Sequence, residues 1–230
     1  VGATAAVGAK YLSREDSKIL GVIGSGGMAY SYTEAICTVR EINEIRVWSP
    51  TKVNREAFAE KITKKLGTPV KIMEDNFSVA KGADIVALCT DSRKAVYTEE
   101  MLKAQKPGGL VVRCRIDEID EPVFSKVDKI IGMSQDSYND LSIGSEQERA
   151  RRPSDAAYLR RYNTNDWPTL ASVINGDEPG RENDEEKIFF DNNSAGLQFA
   201  AVGRVIYESA KKQKLGMHIP MEWFHQDIRN

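Results

Sequence analysis

Apolar residues fall in short β-branched runs, separated by longer stretches in which they recur every three or four positions. The runs 19–23, 45–48, 70–73, 84–89 and 110–114 read as strands, with a sixth at 129–131. Residues 28–41, 52–66 and 98–103 read as helices between them, with a helical turn around 78–81. Strand alternating with helix predicts an α/β fold, a doubly wound parallel sheet with crossovers on both faces. Runs such as Ile85-Val86-Ala87-Leu88 are apolar throughout, as strands covered from both sides must be.

The texture changes after about residue 136. Residues 145–161 interleave Arg149, Arg151, Arg152, Arg160 and Arg161 with Glu146, Glu148 and Asp155, and fit either a solvated or partner-facing helix or an anion site. A Gly/Pro/acid-rich surface loop over 175–186 precedes a strand-like apolar run at 188–190. Leu197, Ala201 and Val205, with Val202 and Ile206 beside them, repeat at four-residue spacing and predict a long helix over 196–214, ended by Gly216.

The clearest chemical signal lies between the first strand and the first long helix, where Gly24-Ser25-Gly26-Gly27-Met28-Ala29 forms a GxGxxA pattern. In that context Gly24 allows the tight turn and Gly26 lets backbone approach a pyrophosphate. Ala29 lets the helix pack closely, and the helix N-terminus supplies N–H groups and a positive dipole end to the phosphates. The site is a dinucleotide site. An NAD site usually places an acid at the end of the second strand to bind the ribose 2′-hydroxyl. Here that strand runs into Ser49, Pro50, Thr51 and Lys52, with Arg55 one turn on. Hydroxyls and cations without a carboxylate suit a 2′-phosphate, so NADP(H) is preferred over NAD(H). The same residues also fit a helix N-cap, and both readings can hold together.

Composition narrows the alternatives. Across 230 residues, 32 basic and 34 acidic side chains leave a formal charge of −2, without the basic excess of a nucleic-acid or anionic-membrane binder. No run approaches the length of a membrane span, and no export signal is read at the N-terminus. Three widely spaced cysteines, Cys37, Cys89 and Cys114, fit reduced cytoplasmic thiols. Two histidines, His218 and His225, stand in no metal-ligand spacing, so no metal site is expected.

With the dinucleotide loop in place, the chain resembles the ornithine cyclodeaminase/mu-crystallin family. The resemblance rests on residues 3–12 (ATAAVGAKYL), 21–29, 45–59 (IRVWSPTKVNREAFA), and 176–188 (GDEPGRENDEEKI) with the following Phe190 to Gln198. It implies a Rossmann domain over 18–140 after a linking helix at 1–17, with residues 141–230 completing the sheet and adding C-terminal helices. Those helices would pack on a substrate and dimerisation domain that this sequence lacks, so the chain looks like the C-terminal portion of a longer, homodimeric polypeptide.

The implied chemistry is hydride exchange between a nicotinamide and the α-carbon of a small amino or imino acid, in the manner of an imine reductase or amino-acid dehydrogenase. Cyclodeaminases and an NADPH-dependent ligand binder are the family alternatives. Where cyclodeaminases carry a catalytic aspartate in a Gly-Asp-x-Pro-Gly setting, this chain reads Arg113-Cys114-Arg115-Ile116-Asp117, and Asp117 is either a proton relay or a solvated acid among Glu118, Asp120 and Glu121. The resemblance also brings Cys89 and Thr90 past the cofactor. It places Asn192, Asn193 or Ser194 at the nicotinamide amide, with a helix N-cap as the structural alternative. Arg181 is expected to fix its loop through an ion pair.

Overall fold

Strands form wherever the apolar runs are. The computed structural model describes residues 1–115, 118–133, 166–192 and 196–224. Among these, β1 (Ile19–Ile23), β2 (Glu44–Trp48), β3 (Val70–Ile72), β4 (Ile85–Leu88), β5 (Leu110–Arg113), β6 (Lys129–Gly132) and β7 (Ile188–Asp191) make one parallel sheet in the order β3-β2-β1-β4-β5-β7-β6. Strand ends differ from the sequence reading by a residue or so. β4, β5 and β7 are buried at every position and take the centre, while β3 and β6 carry Lys71 and Lys129 and stand at the edges. That difference is why the late segment β7, with Ile188, Phe189 and Phe190 fully buried, enters between β5 and the earlier but more polar β6.

Helices cover both faces, as a doubly wound sheet requires. On one face α1 (Gly2–Leu12), α2 (Gly27–Ile36) and α3 (Lys52–Leu66) bury Ala5, Ala9, Leu12, Tyr32, Ile36, Phe58 and Ile62 against Val22, Val47, Ala87, Val112 and Phe190. On the other, α4 (Asn76–Ala80), α5 (Glu99–Ala104) and α6 (Glu121–Phe124) cover Ile23, Val86, Leu88, Val111 and Phe189. A short α7 (Leu170–Asn175), closed by a Thr169/Ser172 capping box and Gly176, stands where the sequence pattern gave no helix.

At the amino end of the sheet, Asp84 is nearly fully buried. It accepts from the N–H groups of Lys18 and Ile19 at 3.0 and 2.8 Å, from Lys106 Nζ at 2.9 Å and from Arg14 Nη2 at 3.2 Å. This pins β1 to β4 from below and leaves the opposite, carboxyl edge free for a site.

Several helix ends differ from the sequence reading: the linking helix read over 1–17 ends at Leu12. α2 stops at Ile36 rather than residue 41, because the bonding tightens to i→i+3 at Thr38 and Val39. Arg40 then turns back and donates to the carbonyls of Lys10, Ser13, Arg14 and Val39, tying the end of α1 to the end of α2.

The chain divides into two units, Val1–Ala195 and Gly196–Asn230. In the second, α8 (Gly196–Lys212) ends two residues before residue 214 in a Schellman arrangement. Leu215 N–H donates to the Ala210 carbonyl, Lys214 N–H donates to that of Lys211, and Lys214 takes φ 55°. The stop is therefore Lys214, not Gly216. The apolar stripe read from the sequence lies on one helix, and Leu197, Val205, Ile206 and Tyr207 on it are exposed. The charged segment at 145–161 lies outside the described residues, and no helix among them is long and apolar enough to cross a membrane.

Candidate functional site

The strand order reverses between β1, which leads outward to β2, and β4, which leads the other way to β5. A crevice at the carboxyl ends of the strands opens at such a point. The glycine loop sits there. Gly24 takes φ +107°, its N–H donates to the Trp48 carbonyl at 2.8 Å, and a Cβ on it would overlap the Cys89 carbonyl oxygen. A side chain is excluded twice over, by conformation and by the approach of β4. Gly26 is the N-cap of α2, and nothing lies within 4 Å of where a Cβ on Gly26 or Gly27 would stand.

The start of α2 has no side-chain cap and no acid in its first turn, so its leading N–H groups and dipole face open space. Met28 is partly buried against the core, and Ala29 is fully buried, which is the close approach a small residue permits. Open backbone at a helix N-terminus beside a glycine turn fits a dinucleotide pyrophosphate.

At the end of β2, Ser49 is 6% exposed, and its Oγ accepts from Ser25 Oγ at 2.9 Å. This bond ties the glycine loop to the second strand. Arg55 Nη1 donates to the Ser49 carbonyl at 2.7 Å, while its buried Nε has no partner among the described residues. Thr51 caps α3 without a side-chain bond and, like Lys52, is exposed. The lysine stands 3.7 Å from Glu56. Ser25, Ser49 and Arg55 are thus brought together, with Thr51 and Lys52 at the rim.

The residues after β4 and β5 are arranged differently. Cys89 packs its side chain into the core with Tyr32, and burial pushes its thiol well above the ordinary value, so only its backbone faces Gly24. Thr90 donates both its N–H and its hydroxyl to Glu118 Oε1, at 2.6 and 2.9 Å. Glu118 Oε2 accepts the N–H groups of Cys114 and Arg115 at 3.0 and 2.8 Å. The residue is fully buried, and its own carbonyl accepts from Val96 and Tyr97 N–H. Burial raises its pKa, opposed by these donors. Glu118, a neighbour of Asp117 in the acidic run, thus turns inward, and in a run of acids local sequence cannot reveal which one does so.

One register step away, Arg113 and Asp191 form a buried ion pair, Nε to Oδ1 at 2.7 Å, with the guanidinium 5.7 and 5.4 Å from the ring centres of Phe124 and Phe189. Asn192 is also fully buried. Its Nδ2 donates to the Val1 carbonyl at 3.1 Å and to the Tyr32 hydroxyl at 2.7 Å, while Oδ1 has no partner among the described residues. Both of its donor hydrogens are therefore turned into the protein.

Arg181 fixes its loop as expected, but its hydrogen bonds go to the carbonyls of Leu12, Asn183 and Glu186. Asp117, Asn193 and Ser194 lie outside the described residues. Glu118 and the Arg113–Asp191 pair are the members of this edge that sequence reasoning missed.

Comparison with known proteins agrees with this geometry. The model of the ornithine cyclodeaminase/mu-crystallin family matches residues 1–214. The Delta(1)-pyrroline-2-carboxylate reductase of Bacillus cereus is 28% identical over 223 residues, covering 95% of this chain and 65% of the relative. The alanine dehydrogenase of Archaeoglobus fulgidus is 25% identical over 228 residues, with the same shares of 95% and 65%. The solved structure of Thermococcus litoralis Delta(1)-pyrroline-2-carboxylate reductase, in complex with NADH and L-proline, has a TM-score of 0.79 at 27% identity, covering 95% of this chain and 66% of that one. The chain thus spans just under two thirds of the length of these relatives. The family match over residues 1–214, the parallel sheet and the glycine turn at its point of reversal agree, and the chain belongs to the ornithine cyclodeaminase/mu-crystallin family.

Proposed function

We propose that this protein is an NAD(P)-dependent oxidoreductase acting on a small imino or amino acid, with NADP(H) preferred over NAD(H). The observation that carries the reading is the open backbone at Gly26 and Gly27, set at the start of α2 and beside the turn that Gly24 makes against β4. These groups bind the pyrophosphate through N–H donors and the helix dipole. A bound nicotinamide supplies hydride chemistry at its C4, the substrate carbon taking the hydride and its nitrogen a proton when an imine is reduced. The chain's contribution is to orient the reactants and to exclude water.

The end of β2 supports the choice of cofactor. It offers Ser49, Thr51, Lys52 and Arg55 with no carboxylate among them, and the unpartnered Arg55 Nε is a donor still to be matched. The relatives named as pyrroline-2-carboxylate reductase and alanine dehydrogenase support a cyclic imine, or an amino acid and its oxo partner, as substrate class. Asp117 is proposed as proton relay, and Asn193 or Ser194 as partner of the nicotinamide amide. A homodimer in the cytoplasm accords with the family resemblance and with Cys37, Cys89 and Cys114 being free.

Calorimetric titration of the 230-residue chain with NADPH and NADH tests the cofactor reading. NADPH is expected to bind more tightly, and Ser49→Asp to reverse the order by repelling a 2′-phosphate and accepting from a 2′-hydroxyl. Equal affinities would remove the NADP preference, and binding of neither would remove the site. Oxidation of NADPH on addition of Δ1-pyrroline-2-carboxylate identifies a reductase. Ammonia release from ornithine without net cofactor change identifies a cyclodeaminase, and binding without turnover a ligand-binding protein.

A further inference from the structure

Glu118 is a carboxylate held by this chain's own groups at the edge where the cofactor is read to lie. The ladder between β4 and β5 ends at Leu88 and Arg113, and the carboxylate continues it, with one oxygen on the residue beyond Cys89 and the other on the two residues beyond Arg113. Each oxygen receives two hydrogen bonds, and three of the four donors are backbone N–H groups that can only donate, so the ionised form is the one the geometry favours. Thr90, the residue it grips twice, lies against the glycine turn: a Cβ on Gly24 would be 3.3 Å from Thr90 Cγ2. Glu118 therefore fixes the wall on which the glycine turn rests.

The charge lies on one side of the crevice. The glycine loop follows β1, and Ser49, Thr51, Lys52 and Arg55 follow β2. A dinucleotide laid across the reversal point places its adenosine half there and its nicotinamide half over β4 and β5, where Glu118 sits. The two oxidation states differ by one positive charge, carried on the nicotinamide ring of the oxidised form.

We propose that Glu118 is a positioning residue which, by holding the ends of β4 and β5 as a buried anion, favours the oxidised cofactor over the reduced one. The proposal rests on the dinucleotide reading above. A purely structural tether would change affinity for both forms alike, whereas a fixed charge separates them.

The test is calorimetric titration of the wild-type chain, Glu118→Gln and Glu118→Asp with NADP+ and with NADPH, with the thermal transition of each variant recorded. In Glu118→Gln the preference for NADP+ over NADPH is expected to fall about tenfold relative to wild type, the scale for a unit charge acting across about 10 Å of protein. Glu118→Asp, which keeps the charge, is expected to retain the wild-type preference within about twofold while binding both forms more weakly. An unchanged preference in Glu118→Gln, with both forms still bound, overturns the proposal and leaves the dinucleotide site standing. If Glu118→Gln shows no cooperative transition, the wild-type order decides: tighter NADP+ supports the proposal and tighter NADPH overturns it. Failure of the wild-type chain to bind either form overturns the site itself.

Discussion

The two sides of the crevice are built on opposite principles. On the β1–β2 side the backbone is left open: Gly26 and Gly27 face empty space, α2 begins without a side-chain cap, and Arg55 Nε is unmatched among the described residues. On the β4–β5–β7 side the protein fills its own edge, with Glu118 taking four donors and Arg113 taking Asp191. The first side leaves room for a ligand where side chains are absent. The second gains rigidity, because the Glu118 carboxylate and the Arg113–Asp191 pair are buried groups held by partners within the protein, and removing one member costs the other its match.

Breaking the filled side carries the largest expected effect. Asp191→Ala removes the carboxylate that pairs with the Arg113 guanidinium, 1% exposed beside Phe124 and Phe189, and is expected to cost about 3 kcal/mol in a urea unfolding experiment. A loss below about 1 kcal/mol would mean that the pair adds little to this edge.

The seam between the two sides comes next. Gly24→Ala must hold a Cβ at φ +107° against the Cys89 carbonyl, and is expected to destabilise by about 2 kcal/mol and to weaken dinucleotide binding together with it. Retention of both by the variant would show that β4 yields readily.

Breaking the open side separates stability from binding. In Gly26→Val the new Cβ meets no atom within 4 Å, so the unfolding free energy should change by no more than about 1 kcal/mol, the scale of an N-cap change, while NADPH binding disappears. Binding at wild-type strength would refute the assignment of the loop.

The smallest effect sharpens the comparison on the α2 face. Cys37, half-buried at the C-cap of α2, has its thiol pushed up from about 9 to about 11 by burial. The unfolded chain therefore releases this proton first, so stability should be full below pH 9 and decline as pH rises from about 9 to about 11. Cys37→Ala should flatten that part of the stability curve, and an unaltered slope would assign the decline to other groups.

How much of this was legible in the sequence follows from range. The central strands were visible because runs of apolar residues carry their own signal, and the glycine loop because three requirements fall within six residues. The end of α2 was not visible, since Arg40 acts on carbonyls of α1, about 30 positions earlier in the chain. Nor was Glu118, because the donors that make it a buried anion come from Thr90, 28 residues before it, as well as from the adjacent loop.

The sequence by itself determined the parallel doubly wound sheet, the turn at Gly24 and the absence of an acid at the end of β2, all set by local pattern and by the steric needs of single residues. The tertiary structure decided that β7 lies between β5 and β6, that Arg113 meets Asp191, 78 residues away, and that one acid of a charged run is fully buried. The physical reason is that a buried polar group is tolerated only where its partners are, and partners brought together by sheet register leave no periodic trace along the chain.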